Sequence, residues 1–249
     1  MSIKPTAPLI VVLGLSTTGI LLVQRVKQRP QNPLESQTLH EPIERERRGT
    51  IDDEITLAKS RGKLELNILA PGVSYDDSSS ANEVFRDFSV FLAEPVDREV
   101  YWAGNYTVSW WKFRISETLS RVPPPSTCIS CWRPKNPPSG WIPLPSDEII
   151  FEKYGGTITR DGLKITTIDP EFPNFIPHQT YLLFLLTGED NIAAMRLGPM
   201  SAFSVSSSGT ITFIGPDVPG RDLRLKKDLE QSFQNSIHLL RAELARRKQ

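Results

Sequence analysis

Residues 106–115 read YTVSWWKFRI, and the fold turns on how the apolar side chains of this stretch are disposed. Tyr106, Val108 and Trp110 share one parity, and Trp111, Phe113 and Ile115 share the other. Side chains of a strand alternate faces with period two, so the apolar face switches at Trp110-Trp111. Two arrangements satisfy the switch. A β-bulge would insert one residue and restore a single buried face; otherwise the strand is buried on both sides. Such switches are common where a sheet curls into a barrel. The expectation is a mainly β fold: a small closed or partly open barrel with short N-terminal helices and a C-terminal packing helix.

Working outward, further strands are legible from alternation and turn chemistry. Lys63–Ala70 (KLELNILA) alternates at Leu64, Leu66 and Ile68, and Pro71-Gly72 ends it. Ser89–Ala93 and Glu148–Lys153 read as strands, and the apolar run Tyr181–Leu186 (YLLFLL) reads as a central one. Thr157–Arg160 and Leu163–Thr166 flank Asp161-Gly162, a pair that tolerates the positive φ of a type I′ hairpin turn. Phe203–Val205 and Thr210–Ile214 form a last hairpin across Ser206–Gly209. Thr50…Asp53 and Ser80…Glu83 have the spacing of capping boxes that open short helices, and Gly62 stands where the first should stop. Leu225, Leu229, Phe233, Ile237, Leu240 and Leu244 recur at helical steps, so one helix is expected over 222–246, packed on the barrel wall.

The N-terminal part is of another kind. Residues 5–24 carry no charged side chain, with Lys4 before them and Arg25, Lys27 and Arg29 after. That length just crosses a bilayer core of ~30 Å as a helix. No small-residue cleavage pattern comes after it, so residues 1–27 read as an uncleaved single-pass transmembrane anchor whose partner is the lipid bilayer, and not as a removed signal peptide. Residues 28–49, with Pro30, Pro33, Pro42 and dense charge, read as a flexible linker. The folded domain is then 50–249. Flanking charge does not settle orientation: a count of Lys and Arg favours a cytoplasmic C-terminal side, whereas short N-terminal tails commonly export the chain beyond the apolar run.

Composition narrows the function classes. The 249 residues balance 29 basic against 29 acidic side chains, which argues against the positive footprint of a nucleic-acid binder. With two cysteines the chain is not a disulfide scaffold. Those two form Cys128-Ile-Ser-Cys131 inside a proline-rich excursion, 122–147. A redox pair would want a helix N-terminus, and a zinc site would need ligands beyond the pair. His40, His178 and His238 lie far apart in sequence with no metal-ligand spacing. A local disulfide is the preferred reading; thiol-disulfide redox or metal use of Cys128 and Cys131 is the alternative. The carboxylates Asp76-Asp77, Glu148 with Glu152, and Asp169 with Glu171 are weak hydrolase signals, and no nucleotide-binding or nucleophile-elbow motif occurs. Tyr101, Trp102, Trp132 and Trp141 could build one binding face for a sugar or peptide.

The strings SVFLAEPVDREVY and YTVSWWKFRISETLSR, the cysteine pair, YGGTITRDGLKIT, YLLFLLTGE and LGPMSAFSVSSSGTI together resemble a recurring pattern in bacterial exported or membrane-anchored proteins. The resemblance spans about residues 63–245, and its strand order is similar to small barrels of the oligonucleotide/oligosaccharide-binding (OB-like) type. It implies export, with the C-terminal domain on the periplasmic or extracellular side, and carries no catalytic residue. The sequence therefore leads to a single-pass, membrane-anchored envelope protein with no catalytic residue and no cofactor assigned: a binding or structural module with a protein or glycan partner in the envelope.

Overall fold

The structure is a computed structural model that describes residues 50–71, 78–123, 134, 136–217 and 221–247. The expected anchor 5–24 and linker 28–49 lie outside these residues, as do Asp76, Asp77, Cys128, Cys131 and Trp132. The fold is mainly β, with one large sheet and few helices.

Local signals set the entry. Helix α1 (Ile51–Ser60) and helix α2 (Ala81–Asp87) each begin with a complete capping box, at Thr50/Asp53 and Ser80/Glu83. Between them runs β1 (Glu65–Leu69). From α2 the chain passes directly into the long strand β2 (Ser89–Trp102), which pairs with β3 (Thr107–Ser120). Then come β4 (Glu148–Tyr154), β5 (Gly156–Arg160) and β6 (Leu163–Ile168). Asp161 and Gly162 at the β5–β6 turn have φ of 50° and 80°, as the type I′ reading requires. The chain continues through β7 (Thr180–Thr187), β8 (Ile192–Ala194), β9 (Ala202–Val205) and β10 (Ile211–Phe213).

A three-stranded sheet in the order β1-β6-β5 carries α1 on one face, where Ile55 and Ala58 pack on Leu66, Ile68, Leu163 and Ile165. The larger sheet runs β10-β9-β7-β2-β3-β4-β8. Strand β8 pairs parallel with β4 through Ile150 and Phe151, and antiparallel with β7 through Leu186 and Thr187. Strands β2, β3, β4, β8 and β7 thus form a closed circuit of paired strands, with β9 and β10 continuing outward from β7. The inner face of the circuit is filled by Phe91, Ala93, Trp111, Phe113, Ile149, Phe151, Leu183 and Leu185, with Phe172 and Phe175 inserted from the segment after β6.

Strand β3 settles the tryptophan question. Trp110 and Trp111 lie opposite Glu152 and Phe151 on β4, and opposite Glu99 and Arg98 on β2, in uninterrupted register. No bulge separates them. Both are buried, on opposite faces: Trp111 joins the inner aromatic cluster, while Trp110 packs outside with Ile150 and Ile192 under Trp141 and Leu144. The register does shift, but elsewhere. Val96 is extra on β2, and Ser116 and Leu119 are extra on β3. After the shift at Ser116 the parity of β3 inverts, so Leu119 faces the helical layer.

The C-terminal segment is two helices, not the single helix expected over 222–246. Helix α3 (Arg224–Phe233) ends where Gln234 and Asn235 take left-handed φ values of 49° and 52°, and helix α4 (Ile237–Arg247) comes next. The break serves the sheet. The Ile211 amide donates to the Asn235 carbonyl at 2.7 Å, and the Ile237 amide to the Gly209 carbonyl at 3.0 Å. The apolar seam is nonetheless buried throughout, from Leu225 to Leu244, against Val90, Leu92, Leu182, Phe184 and Phe203. A left-handed non-glycine residue costs roughly 1–2 kcal/mol. Glycine in a helix interior costs about 1 kcal/mol. Gln234→Gly should therefore leave stability unchanged or raise it by up to about 1 kcal/mol in chemical denaturation; a loss of about 1 kcal/mol would mean a continuous helix.

Candidate functional site

Two concave features stand out among the described residues. The larger is a groove of about 540 Å³ between α4 and the sheet. Its floor is Leu92, Val205 and Ile237, and its walls carry Ser116, Glu117, His178, Gln179, Thr180, the 206–209 turn, His238 and Arg241. The walls are held rigidly. Arg241 clasps Glu117 through both Nε and Nη2, tying α4 to β3. Gln179 Nε2 donates to the Val205 carbonyl at 2.8 Å and the Thr180 carbonyl at 3.1 Å. Gly209, at φ 82°, brings the turn so close to α4 that a Cβ there would meet Ile237 at 2.9 Å and His238 Nε2 at 3.1 Å. His178 itself has φ 61°. The two imidazoles remain exposed at the rim.

The smaller feature is a cavity of about 230 Å³ where β4 and the segment after β8 part company, lined in part by Glu152, Lys153, Tyr154, Phe172, Met195 and Arg196. Alternation along β4 sends Lys153 inward and Glu152 outward. Lys153 is buried, and its Nζ donates to the Tyr154 carbonyl at 2.9 Å and faces the Phe172 ring at 5.2 Å. Arg98, also on the inner face, lies over Trp111 at 4.9 Å and donates through Nε and Nη2 to Ser109 Oγ, which donates to the Gly155 carbonyl. Asp169 accepts from the Glu171 and Phe172 amides through Oδ1, while its buried Oδ2 has no hydrogen-bond partner. Gly155 and Gly156 permit this crowding. A Cβ on Gly156 would strike Val100, Arg98 and Ser109 within 2.8 Å, so β4 can turn into β5 here only through glycine.

Burial governs the electrostatics of this end. It drives the Lys153 ammonium down to about 8, opposed by the charge of Asp169 and reinforced by that of Arg98. It raises the Asp169 carboxyl, against the charge of Lys153 and the two amide bonds. Burial also raises Glu152, whose carboxylate accepts from Tyr101 Oη at 2.6 Å, and raises the phenols of Tyr101 and Tyr154, the latter to about 12.

The aromatic residues proposed from sequence as one face are divided. Tyr101 and Trp141 border the same outer cluster, and Trp141 stacks on Lys112. Trp102, at the end of β2, packs against the cluster between the small sheet and α1 and lies under Arg160. Glu148 is beside Lys112 at 3.7 Å, and Glu171 pairs with Arg221. Among the described residues no group of three or more His, Cys, Asp or Glu is placed to hold a metal ion, and no helix is long and apolar enough to cross a membrane. Sequence reasoning did not find the groove or Lys153. His178 and His238 come together only through the packing of α4, and EKY at the end of a strand reads as a solvated edge.

No family model matches this chain, and no curated protein or solved structure matches it.

Lys153 carries a pH signature. Its folded value, about 8, lies below the ordinary 10.5, so between them the unfolded chain binds more protons and stability rises with pH. The raised tyrosines oppose this only above pH 10, where an ordinary phenol ionises. From pH 8 to 10 the gain should be on the order of 2 kcal/mol. Lys153→Met should abolish the rise in denaturant titrations; the same rise in the variant would assign it to another group.

Proposed function

We propose that the chain is a membrane-tethered binding protein of the bacterial envelope, and that the groove beside α4 receives an extended polar segment of a partner polypeptide. In this reading residues 5–24 anchor the chain, and residues 28–49 join the anchor to the domain. Strands β2, β3, β4, β8 and β7 form a small Greek-key barrel of the oligonucleotide/oligosaccharide-binding type. The parallel β4–β8 pairing and the antiparallel β7–β8 pairing support that reading.

The groove carries the proposal. Its volume falls within the range of ligand sites, and polar groups from distant segments converge over an apolar floor. Among the described residues neither His178 nor His238 is engaged by a hydrogen bond, so both imidazoles can serve a ligand. Glu117 and Arg241 compensate one another, leaving walls without strong net charge. That pattern suits backbone amides and neutral polar side chains better than a phosphate or a carboxylate. The groove lacks Trp, Tyr and Phe among its lining residues, which favours a peptide over a sugar stacked on an aromatic platform.

A photo-cross-linking amino acid placed at position 238 of the full-length chain in intact cells should give one discrete protein adduct. The same probe at Glu230, exposed on α3 and outside the groove, should give none. Equal adducts at both positions, or none at 238, would contradict the groove as the partner site.

A further inference from the structure

The geometry points to Lys153 as a covalent attachment site for a small aldehyde, formed as an imine in the cavity beside β4 and independent of the groove. Lys153 and the Phe172 ring that its amine faces both line this cavity. Lys153 is on the inner face, 7% exposed as a residue, and its amine donates to the Tyr154 carbonyl with no ion pair to a carboxylate among the described residues. An ammonium so placed is poorly solvated, so the neutral amine, which is the nucleophile, is favoured. The value of about 8 agrees with this placement. The charged or titratable groups around it are Asp169 after β6, Arg98 on β2, and Glu152, Tyr154 and Arg196 along the cavity walls.

The Asp169 carboxylate opposes the loss of the amine's proton, and solvent supplies the acid that such a reaction requires. A Cβ on Gly155 would lie 3.6 Å from Lys153 Nζ and 4.0 Å from the Asp169 amide nitrogen, so both groups flank the same glycine. Burial keeps the Asp169 carboxyl raised, and Oδ2 is uncommitted. The Nζ lone pair attacks the carbonyl carbon, and the π pair moves to oxygen, which takes up one amine proton to give a carbinolamine. A solvent proton is taken up by the hydroxyl; the C–O bond breaks and water leaves as the nitrogen pair forms C=N. The remaining proton on nitrogen returns to solvent. The sum is aldehyde plus amine to imine plus water, with no oxidant or cofactor.

The test uses the full-length protein in detergent, treated with propanal and cyanoborohydride between pH 7 and 10, with modification of each lysine followed by peptide mapping. Free amine at pH 7.5 exceeds that of an ordinary lysine by roughly two hundredfold, partly offset by lower intrinsic nucleophilicity. Lys153 should therefore be alkylated about tenfold faster than exposed Lys63 and Lys164, with a midpoint near pH 8. Asp169→Asn removes the charge that holds the ammonium, so it should move the Lys153 midpoint to lower pH while leaving the exposed lysines unchanged. Lys153 reacting no faster than the surface lysines in the folded wild type would overturn the inference, as would an unchanged Lys153 midpoint in Asp169→Asn. The wild-type rates decide the first point even if the variant does not fold.

Discussion

The structure depends on a strand that has no solvent face along its middle. At Trp110-Trp111, β3 buries a large aromatic side on each surface, one into the circuit and one beneath Trp141 and Leu144. A full tryptophan face withdrawn from water is worth a few kcal/mol, so a strand burying two demands cover on both sides. The inner cover comes from β7, β8 and the Phe172–Phe175 segment, and the outer from the chain just before β4. Once both are required, the sheet cannot stay open and flat. Extra residues at Val96, Ser116 and Leu119 accommodate the bend.

Closing the circuit has an electrostatic consequence. The inner face is apolar along most of its length, but alternation continues past the aromatic residues and brings Arg98 and Lys153 inside at one end. Arg98 is satisfied by Ser109 and by the Trp111 ring. Lys153 has a carbonyl, an aromatic ring and the charge of Asp169. Buried ionisable groups with incomplete pairing are expensive to keep and concentrate at sites of chemistry or binding. The groove beside α4 differs: its charges are mutually satisfied, and its open capacity lies in neutral polar groups.

What was legible in the sequence was local. The capping boxes at Thr50 and Ser80, the Asp161-Gly162 turn and the apolar run of β7 each specify their geometry within a few residues, and each is present. What was not legible depends on partners distant in the chain. The apolar spacing Leu225, Leu229, Phe233, Ile237 passes through Gln234-Asn235 without a break, because the interruption is set by pairing with the β9–β10 turn. The switch of apolar face at Trp110-Trp111 was readable, but the choice between a bulge and double burial was not. Of the two arrangements open at Trp110-Trp111, the structure has the strand buried on both faces, and the separate shift at Ser116 falls on a residue with no distinguishing side chain. His178 and His238 carry no local signal, and Lys153 differs from a surface lysine only in which way the closed circuit turns it.

The claim on which the rest stands is that β8 closes the circuit against β4. The Ile150 amide tests it, because it donates to the Asn191 carbonyl at 3.1 Å, on the side of β4 away from β3. In native-state hydrogen exchange tracked residue by residue, this amide should exchange as slowly as those of β7 within the β7–β2 ladder, opening only on global unfolding. Exchange at the rate of a free strand edge, orders of magnitude faster than β7, would show that β4 is an open edge and that Lys153 is not enclosed.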